Sequence, residues 1–141
     1  MLVVNQFVSA TAIGDAITNE VMAIKESLLR AGYQSEAHAR HIPKELENVV
    51  KPISQYEEKE NPILLVHHSM GISVEEYTWV TRAKGKKILL YHNITPSEFL
   101  TDEPYMAQMS LVGRQQLASY RRHVNFAFGD SEFSRLELLE N

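Results

Sequence analysis

The residues best suited to chemistry stand at the ends of apolar runs. His92, Asn93 and Thr95 follow Ile88-Leu89-Leu90-Tyr91, and His67, His68 and Ser69 follow Ile63-Leu64-Leu65-Val66. An imidazole titrates close to neutral pH and can take or give a proton, while amide and hydroxyl groups orient a ligand by hydrogen bonds. His92 is the candidate catalytic group, and Asn93 and Thr95 are candidate binding groups beside it. Successive side chains on a strand point to opposite faces, so one of His67 and His68 faces a ligand and the other packs. His68 is taken as the ligand-facing member. A zinc site joining either of them to His92 lacks the usual ligand spacing and a third ligand, so no metal is expected.

Two further polar groups lie at strand exits. "SATAIGDA" (9–16) brings Gly14 and Asp15 after the first apolar run, and "GDSE" (129–132) brings Ser131 after the last. Each has a simpler use, since Asp15 is placed to begin a helix and Asp130 or Ser131 is placed to cap one. In an open parallel sheet, ligands bind beyond the carboxyl ends of the strands, beside helix N-termini. Polar side chains at successive strand exits therefore predict one wall of a ligand cleft.

The elements that must hold these residues follow from hydrophobic periodicity. Residues 2–8 read as a strand. Ile17, Val21, Ile24, Leu28 and Leu29 recur at helical spacing, with Gly32 as the stop. A second strand is predicted over 33–39, a short helix from Ile42 to Val50, and a brief extended piece at Val50–Ser54 where Pro52 bars a central ladder position. Ile63–Val66 and Lys87–Tyr91 read as buried strands. Ser73 with Glu76 forms a capping-box pattern for a helix to Arg82. A longer helix spans Asp102–Arg122 with Gly113 as a tolerated flaw, then a strand over Val124–Phe128 and a last helix to Leu139. Alternating strands and helices, with strands apolar throughout, predict an α/β fold with a mainly parallel sheet covered on both faces.

The whole composition narrows the function classes. The 141 residues suit one domain, and 44% hydrophobic with 23% charged residues is an ordinary globular balance. A net charge of -4 gives no field that draws nucleic acid, so no nucleic-acid partner is expected. Lys84, Lys86 and Lys87 read as a solubilised turn. There is no cysteine, which excludes disulfides and thiol catalysis and fits a reducing compartment. The N-terminus has no basic region ahead of its short apolar run, and no stretch approaches the length of a membrane span, so a cytoplasmic location is expected. Peripheral membrane contact leaves no readable signature.

Taken in order, "NQFVSATAIGDAITNEV", "HHSMG", "YHNITPSEF" and "FGDSEFSRLEL" resemble the N-terminal half of a GT-B glycosyltransferase of the family 4 type, over nearly the whole chain. The resemblance implies a Rossmann-like three-layer sandwich that supplies the acceptor surface and faces a second, donor-binding domain. It implies that Gly14 and Asp15 lie in the loop near the donor phosphates and acceptor. It also implies that His92 reaches hydroxyls of the transferred sugar and that Ser131 lies near the cleft floor. The first loop carries one glycine where many relatives have two. A nucleotide sugar is then a substrate, no cofactor is expected, and a glycan or other acceptor in polysaccharide synthesis is the expected partner. The family's donor-binding residues belong to a domain absent from residues 1–141, so these residues alone are expected not to turn over. A non-catalytic binding module or partner subunit is the alternative, and a flavodoxin-like regulator is a weaker one.

Overall fold

The computed structural model describes residues 2–141. Six strands lie in the order β3-β2-β1-β4-β5-β6, the order of dinucleotide-binding α/β folds. They are β1 (Val4–Ala10), β2 (Ala37–His41), β3 (Val50–Pro52), β4 (Ile63–His68), β5 (Lys86–Tyr91) and β6 (Phe126–Gly129). The pairs β1–β2, β1–β4, β2–β3 and β5–β6 are all parallel. The helices are α1 (Ala16–Arg30), α2 (Val74–Arg82), α3 (Pro104–Tyr120) and α4 (Glu132–Glu140). This is the expected Rossmann-like α/β class, a parallel sheet flanked by helices.

The chain divides into two compact units, one running to Val66 and including Ala83–Lys86, the other holding His67–Arg82 and Lys87–Asn141. In the first, α1 presents Val21, with Ile17 and Met22 beside it, to a core of Val8, Ala37, Ala39, Leu46 and Val50. The Gln6 side chain, fully buried, donates to the Val21 carbonyl at 2.9 Å and ties β1 to that helix. Gly32 ends α1 with φ +87°, a conformation that a side chain would strain.

Two expectations change here. The helix expected over Ile42–Val50 is a single 3-10 turn at Lys44–Leu46. Leu46 is its one buried residue, so no second apolar turn exists to stabilise a costly helical nucleus. The strand expected over 33–39 begins at Ala37 and reaches His41. Gln34 makes only an isolated bridge with Val3. Pro52 does lie on an edge strand, where its missing N–H leaves no ladder acceptor unmatched.

In the second unit, Ser73 and Glu76 form the expected reciprocal cap. The Ser73 N–H donates to Glu76 Oε2 at 3.0 Å, and the Glu76 N–H to Ser73 Oγ at 3.2 Å. Pro104 opens α3 at its first turn, where a missing N–H costs nothing. Gly113 is more than a tolerated flaw. A Cβ there meets the Gly71 nitrogen at 2.6 Å, so α3 and the residues after β4 touch backbone to backbone. The Gly71 N–H donates to the Met109 carbonyl at 2.9 Å. The Ile72 N–H donates to Gln116 Oε1 at 2.9 Å, and Gln116 Nε2 donates back to the Ile72 carbonyl at 2.8 Å. No helix among the described residues is long and apolar enough to cross a membrane.

Candidate functional site

Within the second unit the ends of β4, β5 and β6 bring three titratable side chains into a row. His67 Nδ1 and His92 Nε2 share a hydrogen bond of 2.9 Å, and the two rings lie nearly parallel. The other ring nitrogen of His92, Nδ1, lies 3.4 Å from Asp130 Oδ2. His67 and His92 are buried at 3% and 5% exposure, whereas the Asp130 side chain is 40% exposed. The row therefore runs from a solvated carboxylate into a dry interior.

Local sequence explains each position. The β5 run Leu89 to Tyr91 is anchored below His92, and the His92 N–H donates to the His68 carbonyl at 2.9 Å. The turn after it is held from both sides. Arg114 donates to the Ile94 carbonyl at 2.7 Å and to Glu137 at 3.1 Å, and the Tyr91 hydroxyl donates to Glu137 at 2.5 Å. Burial and then that carboxylate push the Tyr91 phenol up to about 12, so it remains a donor at neutral pH. At β6, Ser131 caps α4 by accepting the Ser134 N–H at 3.1 Å. The Ser134 hydroxyl donates to Asp130 Oδ1 at 2.7 Å, which leaves Oδ2 turned to His92.

Burial, and then the neighbouring His92, push the His67 pKa down to about 3. His67 is therefore a neutral imidazole at pH 7, with one ring N–H and one lone pair. Either ring can therefore donate in the bond between His67 Nδ1 and His92 Nε2, and Asp130 Oδ2 lies beside the other nitrogen of His92.

The other candidates divide clearly. His68 is 1% exposed, shares a 2.8 Å hydrogen bond between Nε2 and the Gly113 carbonyl, and stands edge-on to Tyr120. Burial pushes it down to about 4, opposed by that carbonyl bond. Of the adjacent pair, His67 is the one that meets His92, and His68 is packed against α3. Asn93 and Thr95 are exposed beside the site, and the Thr95 carbonyl accepts from the Ser110 hydroxyl at 2.6 Å. Ser131 is exposed and acts as the helix cap.

Gly14 and Asp15 belong to the first unit. Gly14 has φ +79° and is exposed, and Asp15 Oδ2 accepts from both the backbone N–H and the hydroxyl of Thr18 at 2.8 Å. Asp130 and His67 are the members of the row that the sequence reading set aside. The available signal was the Asp before the cap residue, one position beyond the Gly that ends the last strand. No group of three or more His, Cys, Asp or Glu among the described residues is arranged to hold a metal ion. The chain matches no family model, no curated protein and no solved structure.

Proposed function

We propose that this chain is the acceptor-binding half of a cytoplasmic glycosyltransferase, which moves a sugar from a nucleotide-sugar donor to a glycan or other acceptor. The observation that carries the reading is His92, held at the end of β5 between Asp130 and His67 within a "YHNITP" and "DSEFSR" frame. A sugar hydroxyl both donates and accepts, so it can take the place of His67 at His92 Nε2 whichever of the two ring nitrogens carries the proton. His92 then orients a hydroxyl of the transferred sugar. Charge developing on the departing nucleoside diphosphate needs cationic or N–H donors, and the resemblance assigns these to a donor-binding domain.

The test is transfer from a panel of nucleotide sugars by the protein as its native cell makes it. Transfer that falls about 100-fold in His92→Ala, with the circular dichroism unchanged, is the expected result for a group of this kind. Unchanged transfer removes His92 from the site. A second reading, a binding module without chemistry, is favoured by the burial of His92, whose two ring nitrogens both have protein neighbours. A native mass near 16.1 kDa together with a stable protein partner supports it.

A further inference from the structure

The first unit holds a cavity of about 620 Å³ with Asn5, Ser35, Glu36, His38, Lys51 and Tyr56 among its walls. That volume lies within the roughly 300–1,000 Å³ range of small-molecule sites. Val3, just before β1, and Asn5 on it line the cavity, and Leu29 near the end of α1 also lines it. Gln6 turns to the Val21 carbonyl on α1, so its neighbour Asn5 points the other way. On β2, Ala37 and Ala39 join the α1 core, and His38 between them faces the cavity.

A parallel sheet usually buries apolar side chains on both faces. Here Asn5, Ser35 and His38 are polar and only 5%, 4% and 2% exposed. Asn5 Oδ1 accepts the Glu36 N–H at 3.0 Å. Ser35 Oγ and His38 Nδ1 have no hydrogen-bond partner among the described residues, a condition that native interiors rarely tolerate. Two such atoms on residues lining one cavity point to a ligand that completes them.

The wall chemistry selects the ligand class. Glu36 is paired with Lys25 at 2.9 Å and Lys51 at 3.2 Å, and Glu57 with Lys59 at 2.5 Å. The lining carries Lys51 and Lys59 against Glu36 and Glu57, so a charged ligand of either sign meets repulsion as well as attraction. Hydroxyl groups, donor and acceptor at once, suit a neutral imidazole, serine hydroxyls and the Gln34 and Gln55 amides without disturbing any pair. Burial holds the His38 ring neutral at pH 7 by pushing its pKa down to about 4.

We propose that this cavity binds a neutral polyhydroxylated molecule of mono- or disaccharide size, recognised by Ser35 and His38. The His38 ring stands edge-on to Tyr56, with ring centroids 5.1 Å apart. This site shares no residue with His67, His92 and Asp130, and it goes beyond the transferase reading.

The test is a titration of the isotope-labelled 141-residue chain with glucose, maltose, AMP and inorganic phosphate, followed by NMR. Saturable shifts at Ser35, His38 and Tyr56 with glucose or maltose are expected. Both His38→Phe and Ser35→Ala are expected to weaken that binding at least about tenfold. Ser35→Ala removes one oxygen and keeps the test decisive if His38→Phe does not fold. No sugar-dependent shift at these residues overturns the proposal, as does binding of AMP or phosphate in place of the sugars. Unchanged affinity in Ser35→Ala overturns the recognition assigned to it. Sugar-dependent shifts confined to His92 and its neighbours also overturn this site, while leaving the transferase reading standing.

Discussion

After β1, Asp15 and Thr18 bond within their own turn, while Thr11 donates to the His41 carbonyl on β2 at 3.2 Å. Asp15 accepts twice from Thr18, and the Thr18 hydroxyl accepts the Ala12 N–H at 3.0 Å. After β5, His92 instead meets His67 from the end of β4 and Asp130 from the end of β6. Both stretches read as polar strand exits with a helix ahead, yet the Asp15 cap satisfies itself locally and His92 depends on elements 25 and 38 residues away (67 to 92 and 92 to 130). A strand exit is a good site candidate when its titratable side chains find partners from other strands. A short capping sequence satisfies itself whatever the rest of the chain does.

That contrast breaks or sharpens most readily under acid. His67 and His68, at the end of β4, titrate near 6.5 when unfolded but near 3 and 4 in the fold. Below pH 6.5 the unfolded chain therefore binds more protons, and stability falls as pH falls. Each group contributes a slope of about 1.4 kcal/mol per pH unit down to its folded pKa. Urea midpoints at pH 7, 6 and 5 are expected to drop steeply, with acid unfolding before pH 4. A flat profile shows that these imidazoles are not buried neutral.

The second test is functional. On the proposed transferase reading, His92→Ala is expected to lower sugar transfer about 100-fold, read as kcat/KM in the protein as its native cell makes it. A loss as large in Asp15→Ala erases the distinction between the two exits. Gly113→Ala comes next. Its added methyl has backbone on two sides, with Gly71 N at 2.6 Å and the Met70 carbonyl carbon at 2.9 Å. A loss of about 1–3 kcal/mol in chemical denaturation is expected, and a neutral result shows that α3 yields. The smallest effect belongs to the self-contained cap. Asp15→Ala removes a helix cap and is expected to lower stability by about 1 kcal/mol, measured by urea unfolding.

The sequence carried the class of fold in the uniformly apolar runs at 63–66 and 88–91, and it carried the reciprocal cap in Ser73 and Glu76. Those signals are local. The choice between His67 and His68 depends on which face of β4 meets β5 and which meets α3, and adjacent residues give no local clue to that. Asp130 was legible only as a capping group, because its bond to Ser134 and its approach to His92 use different oxygens of one carboxylate. Ile42-Pro43 reads as a helix start, but the following residues bury only Leu46 and sustain no more than one 3-10 turn. Gly113 looked like a weak point because nothing in its own helix shows the glycine it touches 42 residues earlier (113 − 71).

The fastening of Gly71 and Ile72 to α3 has a consequence for hydrogen exchange. Both residues lie outside regular structure, where amide protons normally trade with water quickly. Their N–H groups are donated to the Met109 carbonyl and to Gln116 instead. Deuterium enters there only when α3 lets go, so this irregular stretch keeps time with the helix. On the proposed reading of His92, a ligand enters from the exposed side of the row, at Asn93 and Asp130.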